Sequence, residues 1–313
     1  MKERVLQNGR LLPALEAALA QRYDLHPLWQ ERDPQAFLAR HGADFRGYIA
    51  SARYGADAAM IRALPNLRVI SVNGVGLDAV DLAAARARGI AVGYTPDVLN
   101  DCVADTALLL LLDVARGGSA ADRFVRRGDW ARGGQFPLGS SVHGKRVGIL
   151  GLGRIGRAIA RRAQGFDMEV RYHNRRPVAD VPYGYEATLH ALASWADFLV
   201  IASAGGPPTR HLVAEAILDA LGPQGFLVNI ARGSVVDEQA LLAALQQGRI
   251  AGAGLDVYED EPAVTPGLLA LDNVVLLPHI ASATHETRQA MADLSLGNLD
   301  AFFATGAVQV SAL

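Results

Sequence analysis

The sequence predicts an α/β protein built from two doubly wound parallel-sheet domains, and three observations lead there. The chain has 313 residues, more than one hydrophobic core usually organises. Short apolar, β-branched runs alternate with helical patterns through the first hundred residues and again from Lys145 to about residue 277. Between these stretches the alternation stops. Strand–helix alternation favours parallel strands covered by helices on both faces.

In the first stretch, strands are expected at 4–7, 23–27, 48–51, 69–72 and 90–93, with helices such as 13–21 and 79–88 between them. Residues 100–114 then read as one long apolar helix, with Asn100 or Asp101 as N-cap and the leucine run 108–112 buried on most sides. Residues 117–141 carry glycine and arginine with little periodicity. They read as an irregular arm or loop used in subunit contact. The second set of strands is expected at 146–150, 169–173, 198–202, 226–230, 253–257 and 274–277. Residues 286–303 read as a final helix that crosses back to the first domain. The expected domains are therefore 1–98 with 283–313, and 99–282, with a cleft between them.

Composition narrows the function. Half the residues are hydrophobic, a fifth are charged, and the net charge is −2. That is ordinary for a globular protein and offers no basic face for nucleic acid. The apolar stretches 11–20 and 108–112 fall short of the roughly 18 residues a membrane span needs. The single cysteine, Cys102, cannot form an internal disulfide and reads as a buried, inert thiol. No Cys/His cluster has zinc spacing, so no metal is expected. A cytoplasmic protein without membrane or nucleic-acid partners follows as the expectation.

Residues 146–157 read RVGILGLGRIGR, an apolar strand running into Gly151-Leu152-Gly153-Arg154-Ile155-Gly156 and then a helix. G-x-G-x-x-G is informative in that setting. Gly151 permits the tight turn, Gly153 lets the backbone approach a pyrophosphate, and Gly156 allows close helix–sheet packing. The helix N-terminus supplies free N–H groups and positive potential. A dinucleotide-binding, Rossmann-like domain is expected here, with the first domain flavodoxin-like. The next strand ends in Asn174-Arg175-Arg176. NAD-preferring sites carry Asp or Glu at this place for the ribose 2′-hydroxyl. An acid would repel a 2′-phosphate, and arginine would bind it, so NADP(H) is expected to be preferred, with NAD(H) possible.

Three later segments bring reactive side chains to strand ends: Asn229-Ile230-Ala231-Arg232-Gly233, Leu255-Asp256 through Glu261-Pro262, and Leu277-Pro278-His279-Ile280-Ala281-Ser282. Open α/β sheets bind ligands at that edge. Together with SVNGVGLDAVD at 71–81 and VGILGLGRIG, these segments (NIARGSVVDE, AGLDVYEDEP, LPHIASAT) resemble the D-isomer-specific 2-hydroxyacid dehydrogenases, particularly the NADP-linked glyoxylate/hydroxypyruvate and hydroxyphenylpyruvate reductases. The resemblance spans nearly the whole chain.

It implies that His279 is the general acid, that Glu261 pairs with it and favours the imidazolium, and that Arg232 holds the substrate carboxylate and polarises the keto group. It implies backbone N–H donors at Val75 and Gly76 for the same carboxylate, and Asp256 near the nicotinamide or supporting Arg232. Ser203, Ile230, Ala231, Thr106 and Ser282 complete the implied cofactor contacts. Ser203-Ala204-Gly205-Gly206 departs from the family, where a threonine hydroxyl is usual; the amides of Gly205 and Gly206 are the candidate replacement. Tyr54 either bonds a hydroxyl-bearing substrate or is simply packed. Trp130, on the contact arm, and Arg288, early in the last helix, are further candidates for shaping the pocket. The implied activity is reduction of a small 2-keto acid, hydroxypyruvate or glyoxylate first, by a homodimer joined through residues 100–141. The rivals are an NAD-linked member acting on D-lactate, phosphoglycerate or a phenylpyruvate-type acid, and a non-enzymatic nucleotide-sensing protein of the same fold.

Overall fold

The computed structural model describes residues 2–313, which divide into two compact units: one made of 2–99 and 283–313, the other of 100–282. In the first unit the strands are β1 (Arg4–Asn8), β2 (Asp24–Pro27), β3 (Gly47–Ser51), β4 (Val69–Asn73) and β5 (Ala91–Gly93). They form a parallel sheet in the order β2-β1-β3-β4-β5, the flavodoxin-like order. Its helices are α1 (Pro13–Arg22), α2 (Pro34–His41), α3 (Ala58–Ala63) and α4 (Leu82–Ala87). Asp33, Asp57 and Asp81 cap α2, α3 and α4, each accepting a hydrogen bond from an amide three residues on.

The second unit begins with α5 (Asn100–Arg116) and α6 (Gly118–Arg126). It continues with β6 (Arg146–Leu150), α7 (Arg154–Gln164), β7 (Glu169–His173), β8 (Gly184–Tyr185), α8 (Leu189–Trp195) and β9 (Phe198–Ile201). After these come α9 (Glu215–Leu221), β10 (Phe226–Asn229), α10 (Glu238–Gln246), β11 (Gly252–Leu255), α11 (Pro266–Leu269) and β12 (Val274–Leu276). The sheet is parallel, in the order β12-β11-β10-β9-β6-β7-β8. Read from the other edge, this is the Rossmann order extended by a strand, and its direction of winding reverses between β6 and β9. Strands β9, β10 and β11 are buried along their whole length, as parallel strands covered on both faces should be. The glycines of β11 let α5 lie close: a Cβ at Gly254 would sit 2.9 Å from the Cβ of Leu110.

The last helix, α12 (His285–Thr305), belongs to the first unit. Its Ala292, Leu296, Leu299 and Phe302 share a core with Val5, Leu15, Leu19, Ile49 and Val69.

Two expectations need correction. Residues 117–141 are not wholly irregular, since they include α6. Gly117, at φ +65, ends α5, and the Asp113 carboxylate then accepts from the Ser119 amide at 2.7 Å to start the new helix. Helix α6 buries no side chain, so it contributes nothing to the core of its unit. Cys102 is half-buried rather than buried. Within the leucine run, Leu108, Leu110 and Leu111 are buried but Leu109 is exposed. Among the described residues no helix is long and apolar enough to cross a membrane.

Candidate functional site

The winding reversal places two chain ends side by side at the carboxyl edge of the seven-stranded sheet, Gly151 after β6 and Ser203 two residues beyond β9. Gly151 has φ +99, and a Cβ there would lie 2.7 Å from the Cα of Ser203. Gly156, in the first turn of α7, has the same exclusion, with a Cβ 2.2 Å from the Gly151 carbonyl oxygen. Gly153 differs. A Cβ there would meet nothing within 4 Å, so one face of the turn is open, beside the α7 N-terminus. The Ser203 Oγ is buried next to this turn without a hydrogen-bond partner among the described residues. An open glycine face, an orphaned hydroxyl and a helix N-terminus fit a dinucleotide pyrophosphate.

At the end of β7, the Asn174 Oδ1 accepts from the Leu152 amide at 2.7 Å, tying that strand end to the glycine turn. The side-chain amide nitrogen is therefore left facing away from the bond, as a donor. Tyr185 Oη donates to the Asn174 carbonyl, and His173 Nδ1 bonds the Glu186 carbonyl at 2.8 Å, so the backbone here is held from both sides. Arg175 and Arg176 are exposed, and neither makes an ion pair among the described residues.

The reactive side chains rise from the ends of β10, β11 and β12. Asn229, the buried last residue of β10, folds the next turn: its Oδ1 accepts from the Ala231 amide and its Nδ2 donates to the Arg232 carbonyl, both at 3.0 Å. The Arg232 Nη1 donates to the Ala231 carbonyl at 2.7 Å. Its stem crosses Gly205, where a Cβ would lie 2.6 Å from the Arg232 Cγ. Gly205 thus makes room for Arg232. A hydroxyl does occur in this loop, on Thr209, but it donates to the Ala204 carbonyl at 2.9 Å. Gly233 is equally constrained, since a Cβ there would lie 1.8 Å from the Tyr258 carbonyl carbon. This close approach seats the Arg232 turn on the loop that follows β11.

In that loop the two oxygens of Glu261 divide their work. Oε1 accepts from the Tyr258 amide at 3.1 Å, and Oε2 meets His279 Nδ1 at 2.8 Å. Tyr258 is anchored through its hydroxyl, which donates to the Leu277 carbonyl at 2.8 Å; burial raises its phenol above the ordinary range and keeps it a donor. His279 is about half exposed (45%), with φ +54, a conformation uncommon outside glycine. Asp256 explains how that turn holds. Its fully buried carboxylate accepts from the amides of Ile280 at 2.7 Å and Ala281 at 2.9 Å. Burial pushes the Asp256 carboxyl above its ordinary range, and those two amides and His279 pull the other way. Both oxygens of Asp256 serve the His279 turn. Thr106 Oγ1, on α5, lies 3.4 Å from the Ala281 carbonyl beside Ser282. Ile230 and Ala231 are buried beneath the Arg232 turn.

In the first unit, Val75 and Gly76 follow β4. A Cβ at Gly74 would lie 2.4 Å from the Cβ of Ala52, and the Gly74 carbonyl accepts from the Thr95 amide at 3.0 Å. In a trans peptide the Val75 N–H then points away from Thr95. Tyr54 is half exposed, with its ring against Gly9, where a Cβ would lie 2.2 Å from it. Arg288 sits in the first turn of α12, and Trp130 is exposed beyond α6 in the second unit. Sequence reasoning missed the parts played by Asn229, Gly205 and Gly233. A glycine next to a reactive arginine was the one readable signal.

Comparison with known proteins identifies the family. Residues 108–281 match the family model described as D-isomer specific 2-hydroxyacid dehydrogenase, NAD binding domain. A hydroxyphenylpyruvate reductase of Plectranthus scutellarioides is 47% identical over 289 residues, 92% of each chain. A glyoxylate/hydroxypyruvate reductase of Arabidopsis thaliana has the same identity and coverage. Among solved structures, the NADPH-dependent glyoxylate/hydroxypyruvate reductase of Sinorhizobium meliloti, in complex with NADP and malonate, has a TM-score of 0.94 at 42% identity. It covers 99% of this chain and 97% of that one.

Proposed function

The chain belongs to the D-isomer-specific 2-hydroxyacid dehydrogenases, which makes it an oxidoreductase using a nicotinamide dinucleotide, and on that premise we propose that it reduces hydroxypyruvate or glyoxylate to the D-2-hydroxy acid with NADPH. The observation that carries this reading is the 2.8 Å bond between His279 Nδ1 and Glu261 at the sheet's carboxyl edge. A nicotinamide bound through the glycine turn supplies the hydride. His279, with Nδ1 engaged by Glu261, has Nε2 left to give a proton to the keto oxygen. Glu261 fixes the ring's orientation for that transfer. Arg232 holds the substrate carboxylate as a guanidinium fork. Asp256 keeps the His279 turn in its uncommon conformation.

The glycine turn with Gly151, Leu152, Gly153, Arg154, Ile155 and Gly156 takes the pyrophosphate, with Ser203 Oγ as a further donor. Asn174, Arg175 and Arg176 take the 2′-phosphate. Thr106, Ile230, Ala231 and Ser282 line the nicotinamide end. In the first unit, the amides of Val75 and Gly76 are assigned to the substrate carboxylate, and Tyr54 to a hydroxyl on the substrate.

We also infer a homodimer through residues 100–141. Leu109, Val125, Trp130 and Leu138 are all exposed there, and such a set of apolar side chains calls for cover. We infer a cytoplasmic placement, which the lone thiol supports.

Initial rates with hydroxypyruvate, glyoxylate and phenylpyruvate, each with NADPH and NADH, test the activity. Rapid NADPH oxidation with the two smaller acids is expected. Folded protein that oxidises neither cofactor with any of the three overturns the reading. Faster rates with NADH overturn the cofactor assignment alone. Light scattering at micromolar concentration tests the dimer, and a monomer mass removes it.

A further inference from the structure

Glu238 stands one residue beyond the Asp237 N-cap of α10, and it is 6% exposed. Among the described residues, none of its hydrogen bonds reaches a residue assigned above to substrate or cofactor. Its Oε1 accepts from the Glu259 amide and its Oε2 from the Thr265 hydroxyl, both at 2.6 Å. These two bonds reach the loop after β11 on either side of Glu261. The loop has no regular structure between Val257 and Thr265. Within it, Glu261 accepts from the Tyr258 amide and the Ala263 amide donates to the Asp260 carbonyl.

A second carboxylate extends the connection. The Glu259 side chain takes Arg210 at 2.5 Å and His211 at 2.9 Å, both from the loop that holds Gly205 under Arg232. Glu238 thus fixes the backbone from which Glu259 reaches one reactive loop and Glu261 reaches the other.

We propose that Glu238 is a positioning residue: by clamping the backbone at Glu259 and Thr265 it holds Glu261 in bonding register with His279. The inference rests on the reading of Glu261 and His279 given above. The chemistry needed is two hydrogen bonds at fixed spacing. Glutamine can supply both, its carbonyl accepting from the Glu259 amide and its NH2 donating to the Thr265 hydroxyl oxygen, which reverses the second bond. Leucine has a similar volume and supplies neither, leaving a buried amide unpaired.

The test compares Glu238→Leu, Glu238→Gln and Thr265→Val in the full-length protein. Glu238→Leu is expected to lower kcat on the order of tenfold to a hundredfold, the scale of a small misplacement at a reacting group. NADPH affinity, read by fluorescence titration, stays within about threefold, because the glycine turn lies elsewhere in the unit. Glu238→Gln returns kcat to within about threefold of the parent. Thr265→Val, which removes a single bond, moves kcat in the same direction as leucine but less, and serves if the leucine variant does not fold. A readout independent of turnover is the 15N spectrum of histidine-labelled protein at alkaline pH, assigned with His279→Ala. The parent and Glu238→Gln should show the Nδ1-protonated tautomer that the Glu261 bond selects. Glu238→Leu should show a mixture of tautomers. Parent-like tautomer and kcat in both Glu238→Leu and Thr265→Val overturn the proposal, as does a Glu238→Gln variant as impaired as leucine. If the parent itself reduces no 2-keto acid, the proposed activity falls, and the 15N comparison still decides whether Glu238 sets the Glu261–His279 contact.

Discussion

Replacing Asn174 by aspartate probes cofactor choice with a change of one side-chain group. The Asn174 Oδ1 already accepts from the Leu152 amide at 2.7 Å, and a carboxylate can keep that bond. What changes is the other terminus, which turns from an N–H donor into an anionic acceptor. If it lies about 4 Å from a 2′-phosphate oxygen, the repulsion per unit charge is about 4 kcal/mol at an effective dielectric of about 20, and about 1 kcal/mol in bulk water. The site is at the surface, so the effect falls between those bounds, a loss of roughly fivefold to a thousandfold in the preference for NADPH. With NADH the same carboxylate can accept from the 2′-hydroxyl, so NADH activity should hold or rise. The assay is kcat/KM for NADPH and NADH at saturating hydroxypyruvate. Raising the salt should narrow the difference, because exposed charges are screened. An unchanged NADPH/NADH ratio in Asn174→Asp would refute the reasoning that places the phosphate at Asn174-Arg175-Arg176.

Three further outcomes are expected. His279→Ala should lower kcat by about a hundredfold to ten-thousandfold, the range of general acid–base catalysis, with NADPH affinity nearly unchanged; stopped-flow turnover equal to the parent's would remove the acid assignment. Gly153→Ala should keep the parent's Tm, because its Cβ meets nothing, yet weaken NADPH binding, whereas Gly233→Ala should lower Tm sharply against the Tyr258 backbone; thermal melts paired with NADPH titration separate the two, and a parent-like NADPH affinity in Gly153→Ala counts against the turn as a cradle. The Asp256 carboxyl is raised by burial, so it stabilises the fold most at pH values below its unfolded-state range and loses that contribution as pH rises through its folded-state value. The Tm of the parent minus that of Asp256→Asn should therefore shrink as pH is raised through the acidic range, and a difference that grows would overturn the assignment.

Much of the fold was legible because parallel strands leave strong local marks. The runs at 147–150, 198–201 and 226–228 are apolar and rich in β-branched or aromatic residues, and they are buried end to end. The two-residue β8 and the unburied α6 leave no such mark, and neither was anticipated. At the site, the glycine turn declares itself by spacing, since its constraint is local. Other features depend on approach between distant segments. The buried Asp256 could be noticed in LDVYEDEP, but its service to the Ile280 and Ala281 amides lies 24 and 25 residues away in sequence. Gly205 and Gly233 looked like loop glycines until the Arg232 stem and the Tyr258 backbone were found in the space a Cβ would take.

The placement of α12 in the first unit has a consequence for biosynthesis. The core that includes Val5, Leu19, Ile49 and Val69 is completed by Leu296, Leu299 and Phe302. The first ninety-nine residues leave the ribosome with that apolar face uncovered, and the covering helix emerges only after residues 100–282. At about 5–20 residues per second, the wait is roughly 10 to 40 s. The contiguous second unit can fold within that interval. Synthesis order thus leaves that apolar face of the first unit's sheet without its covering helix until the chain beyond residue 282 is made.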